Sequence, residues 1–300
     1  MITVAHVDEQ NGFRGGEQQA AWLVRGLVGQ GIKTLLVGRP DRPFLAMHPG
    51  MEGLHREALP LLGEFDLYSA YRLARIVIDR KVDLIHAHTS HAHGIAALAL
   101  SLGAPARLVV SRRVNFMPGN GFLNRKKYNR ADRILCVSQA VHDTLRRFGL
   151  EPLRLRTVHS AVDPERALMP PVPRAALGIP DDIPFLFSAG SLVEHKDHAN
   201  LMKAFLLVRS IFPETRLCIA GDGPLLDPLK TLRASLGLES AVTFLGHRSD
   251  APGICRSADV YVSSSWSEGL GTSILEALTA GTPVAATEAG GAREMIIPGT

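Results

Sequence analysis

Glu268 and Glu276 lie eight positions apart, at either end of a glycine-containing run that extends from Ser263 to Ala277. The run reads as the end of a strand, a loop and the start of a helix. Gly269 and Gly271 let the backbone approach a ligand closely. The amides of Leu270, Gly271 and Thr272 would then sit at a helix N-terminus, which suits an anion. Glu276, about one turn into the helix, can accept two hydrogen bonds from a vicinal diol such as a ribose. Taken alone, either glutamate also fits a plain helix start, where the dipole favours a negative charge.

Three further groups have side chains fit for chemistry. Lys196 closes the segment Ala189-Gly190-Ser191-Leu192-Val193-Glu194-His195-Lys196 and could place a cation on a diphosphate. Gly15 and Gly16 join the first strand to its helix and could present bare backbone to a phosphate or sugar. His86, His88, His91 and His93 fall within eight residues. No carboxylate or cysteine accompanies them and zinc sites favour other spacings, so no metal is expected. His86 fits a core histidine still in its strand, and His91 and His93 belong to the following helix. Arg113, after the next strand, fits either an anionic acceptor group or a surface position.

These residues need a frame of alternating strands and helices. Strands are expected at Ile2–Val7, Lys33–Val37, Val82–His86, Leu108–Ser111, Arg133–Ser138 and Leu155–His159 in the first half. Those of the second half are Phe185–Ala189, Arg216–Ala220, Val242–Leu245, Val260–Ser263 and Val284–Thr287. Helical stretches fall at Glu17–Gln30, Ser69–Arg80, Ala92–Leu102 and Gln139–Phe148, then at Asp197–Ile211, Leu225–Leu236, Thr272–Ala280 and Ala292–Ile297. This alternation implies an α/β protein with parallel sheets covered on both faces. Six prolines between Asp163 and Pro184 read as a linker. The expected domains are 1–165 and 185–300, with a Pro-rich linker over 166–184. Ligands in such sheets bind beyond the carboxyl ends of the strands, where every group above is placed. The last residues, Ile297 to Thr300, read as cut short, as if the second domain continued.

The Glu-(seven residues)-Glu spacing, followed by Ala-Leu-x-Ala-Gly-x-Pro-Val-Ala, resembles the signature of glycosyltransferase family 4. Ala220-Gly221-Asp222-Gly223-Pro224, the Gly190–Lys196 segment, the Gly15-Gly16 loop and His86-Ala87-His88 match the same family in the same order. The resemblance implies the GT-B fold, two Rossmann-like doubly wound domains facing across a cleft. It implies a retaining, metal-independent glycosyltransferase that moves a sugar from a nucleoside diphosphate sugar, UDP- or GDP-linked, to an acceptor hydroxyl. Carried over, Glu268 lies at the donor sugar, His88 points at the donor sugar or the acceptor, and Lys196 supports the departing diphosphate. Gly15, Gly16, Leu270, Gly271 and Thr272 contact the donor, and Glu276 holds the ribose. Ser191 stands on the donor side where the family's pattern has arginine, leaving Lys196 as the phosphate cation. Arg113 is the candidate for the acceptor. Beyond the substrate no cofactor is implied. A nucleotide-sugar epimerase of the same architecture and a non-catalytic nucleotide-sugar binder are the alternatives.

Composition narrows the setting. Apolar residues make up 46% of the 300, enough for two cores, and the three cysteines are scattered, which fits a reducing compartment. Residues 1–165 carry 22 Lys/Arg against 15 Asp/Glu, and residues 166–300 carry 11 against 14. Twelve basic residues and three acidic ones fall between Arg107 and Arg156. That face suits either plain solvation or contact with anionic lipid. Nucleic acid is not an expected partner. The N-terminus lacks the basic region of a signal peptide, and the most apolar window is interrupted by Gly103, Pro105 and Arg107. The expected location is cytoplasmic, with peripheral contact at the inner membrane face, and the expected work is envelope glycolipid or polysaccharide synthesis, lipopolysaccharide included. No Gly-x-Gly-x-x-Gly followed by an acid occurs near the start, which disfavours a nicotinamide oxidoreductase.

Overall fold

The computed structural model describes residues 2–13 and 15–297, in two compact units that divide between His159 and Ser160. The first unit runs β1 (Thr3–Asp8), α1 (Gly15–Gly29), β2 (Lys33–Gly38), α2 (Pro43–Ala46), β3 (Leu54–Ala58), α3 (Leu67–Asp79), β4 (Leu84–Ala87), α4 (Ser90–Ser101), β5 (Arg107–Arg112), α5 (Phe122–Arg130), β6 (Arg133–Cys136), α6 (Gln139–Arg147) and β7 (Leu155–Thr157). Its seven strands are all parallel, in the order β3-β2-β1-β4-β5-β6-β7. The central strands are buried nearly end to end: Val4, Ala5 and Val7 in β1 and Leu35, Leu36 and Val37 in β2. Burial on both faces explains why they read as unbroken apolar runs. Polar caps start the helices that follow: Asp66 accepts from the Ser69 amide, Thr89 from the Ala92 amide and Ser138 from the Val141 amide.

The second unit runs α7 (Pro164–Ala167), β8 (Phe185–Ala189), α8 (His198–Ile211), β9 (Arg216–Ala220), α9 (Leu226–Ser235), β10 (Val242–Gly246), α10 (Ala251–Ser257), β11 (Val260–Ser263), α11 (Thr272–Thr279) and β12 (Val284–Ala286). The sheet is parallel, in the order β10-β9-β8-β11-β12. The two-residue period of the strands divides its core. Phe185, Phe187, Cys218 and Tyr261 pack on one face with Ile254 and Ile274. Leu217 and Ile219 pack on the other with Leu201, Phe205 and Leu229.

The proline-rich stretch is no free linker, because it is laid over α10. The Val172 amide donates to the Gly253 carbonyl at 3.1 Å. Arg174 donates to the Ser257 carbonyl at 2.9 Å and pairs with Asp259 at 2.7 Å. A Cβ at Gly253 would stand 2.6 Å from the Pro170 carbonyl oxygen, so the close approach depends on glycine. Residues 166–184 therefore belong to the second unit. The segment expected as a helix over Ala292–Ile297 forms instead a 3-10 turn at Gly290–Glu294. Pro298 to Thr300, which carry the reading of an abrupt end, lie outside the described residues. Among the described residues no helix is long and apolar enough to cross a membrane.

Candidate functional site

In each unit the strand order reverses direction at one point, between β1 and β4 in the first and between β8 and β11 in the second. Loops leaving adjacent strands part there and open a crevice at the carboxyl ends. Nearly all the candidate residues gather at these two points.

In the second unit the loop after β8 and the loop after β11 are tied together by main chain. The Ser264 hydroxyl donates to the carbonyls of Lys196 and Asp197, at 2.9 and 3.0 Å. Trp266 donates its amide to the His195 carbonyl at 3.0 Å and its indole N–H to the Glu194 carbonyl at 3.2 Å. This stitching brings Lys196 Nζ to 2.5 Å from Glu268 Oε1, which also accepts from the Ser265 hydroxyl at 2.7 Å. Both members of the pair are largely buried, with side-chain exposures of 19% and 10%. Each charge therefore depends on the other for the hydration it has lost. Lys196 lies along Gly190, its Cε 3.4 Å from where a Cβ would stand.

Gly271 opens α11 with φ of 93°, a left-handed conformation that glycine adopts without strain. Among the described residues the amides of Leu270, Gly271 and Thr272 have no hydrogen-bond acceptor. Glu276, on the first turns of α11, is half-buried and meets Arg166 Nε at 3.4 Å. Burial raises its carboxyl above the ordinary value, and Arg166 opposes that rise. Ser191 is half-buried and makes no side-chain hydrogen bond among the described residues. The structure thus joins Glu268 to Lys196 directly, while Glu276 is engaged by Arg166.

In the first unit Gly15 and Gly16 begin α1, and the Arg113 side chain runs past Gly16, 3.8 Å from where a Cβ would be. Arg113 reaches His88 with both terminal nitrogens at 3.4 Å from Nδ1 and with one of them 3.3 Å from the carbonyl. His88 in turn meets His6 on β1, Nε2 to Nδ1 at 2.9 Å. His86 bonds the Ser111 hydroxyl at 2.9 Å and lies tilted against His88 with ring centroids 4.2 Å apart. Burial, with Arg113 adding to it, lowers His6 to about 3 and holds His86 and His88 well below the usual imidazole value. All three are neutral at physiological pH.

Of the four clustered histidines, His91 is half exposed, 3.6 Å from Glu9, and His93 bonds the Lys127 carbonyl at 3.0 Å. Both lie on α4. His6 joins His86 and His88 in their place, and one nitrogen from each lies within 4.8 Å of the others. His6 and His88 lie only 15° from parallel and are joined by the Nε2–Nδ1 bond, and a guanidinium stands beside them. That arrangement is a hydrogen-bonded wall and fits a divalent cation poorly, since metal ligands converge on one point and avoid a neighbouring cation.

Sequence reasoning missed His6, Asp8 and Glu9. Asp8 is buried, with Oδ1 accepting from the Gln10 amide at 2.8 Å and Oδ2 without a partner among the described residues, and burial pushes its carboxyl up to about 8. Glu9 accepts from the Thr89 hydroxyl and, at 3.2 Å, from the Ala92 amide at the start of α4. The signal available for all three is position: polar residues at the carboxyl end of the first strand, beside a strand-order reversal.

A family model described as Glycosyltransferase Family 4 matches residues 13–166, and one described as Glycosyl transferases group 1 matches residues 172–300. The lipopolysaccharide core biosynthesis glycosyltransferase LpsE of Rhizobium meliloti is 30% identical over 164 residues, 55% of this chain and 46% of that protein. The alpha-monoglucosyldiacylglycerol synthase of Streptococcus pneumoniae is 27% identical over 221 residues, 70% of this chain and 47% of that protein. The chain thus spans less than half the length of both relatives. Among solved structures, Anabaena Alr3699/HepE in complex with UDP-glucose superposes with a TM-score of 0.84 at 21% identity, over 100% of this chain and 84% of that one.

Proposed function

Because this chain belongs to glycosyltransferase family 4, we propose that it transfers a sugar from a nucleoside diphosphate sugar to an acceptor hydroxyl, with retention of configuration, in the synthesis of envelope glycolipid or polysaccharide. The observation that carries this reading is the second-unit cluster: three unpartnered amides at the start of α11, beside a buried lysine–glutamate pair.

The diphosphate lies on the amides of Leu270, Gly271 and Thr272 and draws Lys196 to itself. Glu268, released from the lysine, accepts from hydroxyls of the sugar, and Glu276 accepts from the ribose. As the bond from the anomeric carbon to the phosphate oxygen breaks, that oxygen carries the developing charge. It takes the proton of the acceptor hydroxyl, whose oxygen bonds the anomeric carbon on the same face. Lys196 and the α11 amides stabilise the leaving group, which assigns the cationic role to the protein itself. In the first unit, Gly15, Gly16 and His88 are the candidates for contact with the sugar and Arg113 for an anionic acceptor.

The same unit carries a surface suited to an anionic membrane. Phe65, Leu98 and Leu123 line a cavity of about 210 Å³ rimmed by Lys126, Arg130 and Lys127, the last paired with Glu64 at 2.6 Å. Phe65, Phe122 and Leu123 are exposed beside it. Apolar side chains within a basic rim match acyl chains beneath anionic headgroups. A lipid-linked acceptor brought to that surface requires no span of its own, and the protein works at the cytoplasmic face.

A panel of UDP- and GDP-sugars, scored by thermal stabilisation and then by transfer to lipid-linked and saccharide acceptors, tests the reading. Stabilisation by one sugar nucleotide and transfer from it is the expected result. Conversion of that donor without acceptor would make the protein an epimerase, and binding without transfer a nucleotide-sugar receptor.

A further inference from the structure

His6 is fully buried among Val4, Ala5 and Val7 on a central strand, where an apolar side chain would pack without polar loss. Its Nε2 has no hydrogen-bond partner among the described residues. An unsatisfied buried N–H destabilises a fold, so it calls for a compensating role. Strand pairing sets His6 beside His86 on one face of the sheet, with His88 one step beyond.

The hydrogen bonds leave a single consistent assignment of protons. Arg113 can only donate. Its two terminal nitrogens face His88 Nδ1, so that nitrogen accepts and the proton of the neutral ring sits on Nε2. The Nε2–H then donates to His6 Nδ1 at 2.9 Å, which places the proton of His6 on its unpartnered Nε2. The unsatisfied N–H is therefore what the chain of donors requires at its far end.

We infer that His6 is a positioning residue: by accepting from His88 Nε2–H it fixes the His88 tautomer that seats the Arg113 guanidinium. With an acceptor missing at position 6, His88 is free to carry its proton on Nδ1. Two donors then face each other, and Arg113 keeps only the His88 carbonyl, at 3.3 Å. Serine 111 does not substitute, since its hydroxyl is directed to His86. The inference rests on the reading of Arg113 as an acceptor-binding group.

Two measurements test it. Nitrogen NMR of the imidazoles at neutral pH should show His88 with a protonated Nε2 and an acceptor Nδ1. A protonated Nδ1 on His88 overturns the inference, whether or not any activity is found. In transfer assays, His6→Phe keeps the volume and removes the acceptor. It should raise the acceptor KM about tenfold while donor affinity stays within about twofold, the loss expected for one hydrogen bond to a charged group. His6→Asn puts an oxygen near the place of Nδ1 and should recover the acceptor KM to within about threefold of wild type. Equal defects in the Phe and Asn variants, with both folded, would show that His6 only fills space. If no acceptor is ever glycosylated, the functional reading fails, and the tautomer measurement still decides the relay. It also decides should the Phe variant not fold.

Discussion

The Lys196–Glu268 pair predicts opposite effects on binding and on transfer. Glu268 occupies the cation that the diphosphate needs, at 2.5 Å. Glu268→Gln keeps an oxygen for Lys196 and for the Ser265 hydroxyl but removes the negative charge. A nucleoside diphosphate without sugar then meets a free cation and no anionic neighbour. The released attraction is not the full Coulomb energy of two charges in contact, because both side chains retain some exposure and water screens them. A net gain of about 1 kcal/mol is reasonable for such a pair, so diphosphate affinity should rise about fivefold. Transfer should fall, because the carboxylate that orients the sugar is gone. A loss of about a hundredfold in kcat is the scale of removing one charged orienting contact. Calorimetry with UDP and GDP measures the first effect. Fluorescence of Trp266, which is exposed and tied to the lysine loop, reports it independently. Weaker binding of the diphosphate by the Gln variant would refute the exchange, since it would mean that Glu268 supports the nucleotide rather than competing with it.

Two further predictions concern backbone and protons. Gly271→Ala should lower stability by about 1–2 kcal/mol and weaken diphosphate binding, because φ of 93° is strained for alanine and its Cβ would meet Ile274 Cδ1 at 3.2 Å; thermal melts and calorimetry check both. Asp8→Asn should gain stability over wild type as pH rises. The folded carboxyl titrates at about 8 against an unfolded value near 4, so the native state holds the extra proton and wild-type stability from this group is lost between those limits. Melting temperatures of the two proteins at acidic and alkaline ends of that window should diverge upward, and parallel curves would contradict the burial argument.

Much of this fold was legible because parallel strands buried on both faces leave unbroken apolar runs, as in β1, β2 and β8. What escaped follows equally from physics. β3, Leu-His-Arg-Glu-Ala, lies at the sheet edge and is mostly polar, so it has no apolar signature. α5 buries only Tyr128 and offers no helical period to read. α10 carries Pro252 and Gly253, residues that argue against a helix unless its first turn is where they fall. In the clusters, loop motifs such as Gly15-Gly16 and Ser263–Ala277 could be read because glycine and free amides imply close approach. The partners of those residues could not. Arg166 is 110 positions from Glu276 and His6 is 82 from His88. Only the sheet order brings the histidines together.

Those partners change how the candidate residues must work. Lys196 holds Glu268, Arg166 holds Glu276 and His88 holds Arg113. Glu268, Lys196 and Glu276 are thus already in ion pairs within their own unit, so binding there exchanges one partner for another and does not desolvate a free charge, whereas Arg113 rests on a neutral imidazole. The Arg166–Glu276 contact makes the sharpest case. At 3.4 Å through Nε it is long for a charge-assisted bond, and the two side chains are 36% and 24% exposed, so little is lost when ribose hydroxyls take its place. Glu276→Gln should then weaken nucleoside diphosphate binding about tenfold, because an amide offers one acceptor oxygen where the carboxylate offers two. Arg166→Met should leave that affinity within about threefold, since it removes a competitor along with a counter-charge. Calorimetry on both variants and on their combination separates the contributions. If the methionine variant loses as much as the glutamine one, and the double variant no more than either, arginine and glutamate bind the nucleotide as a unit and the exchange account fails.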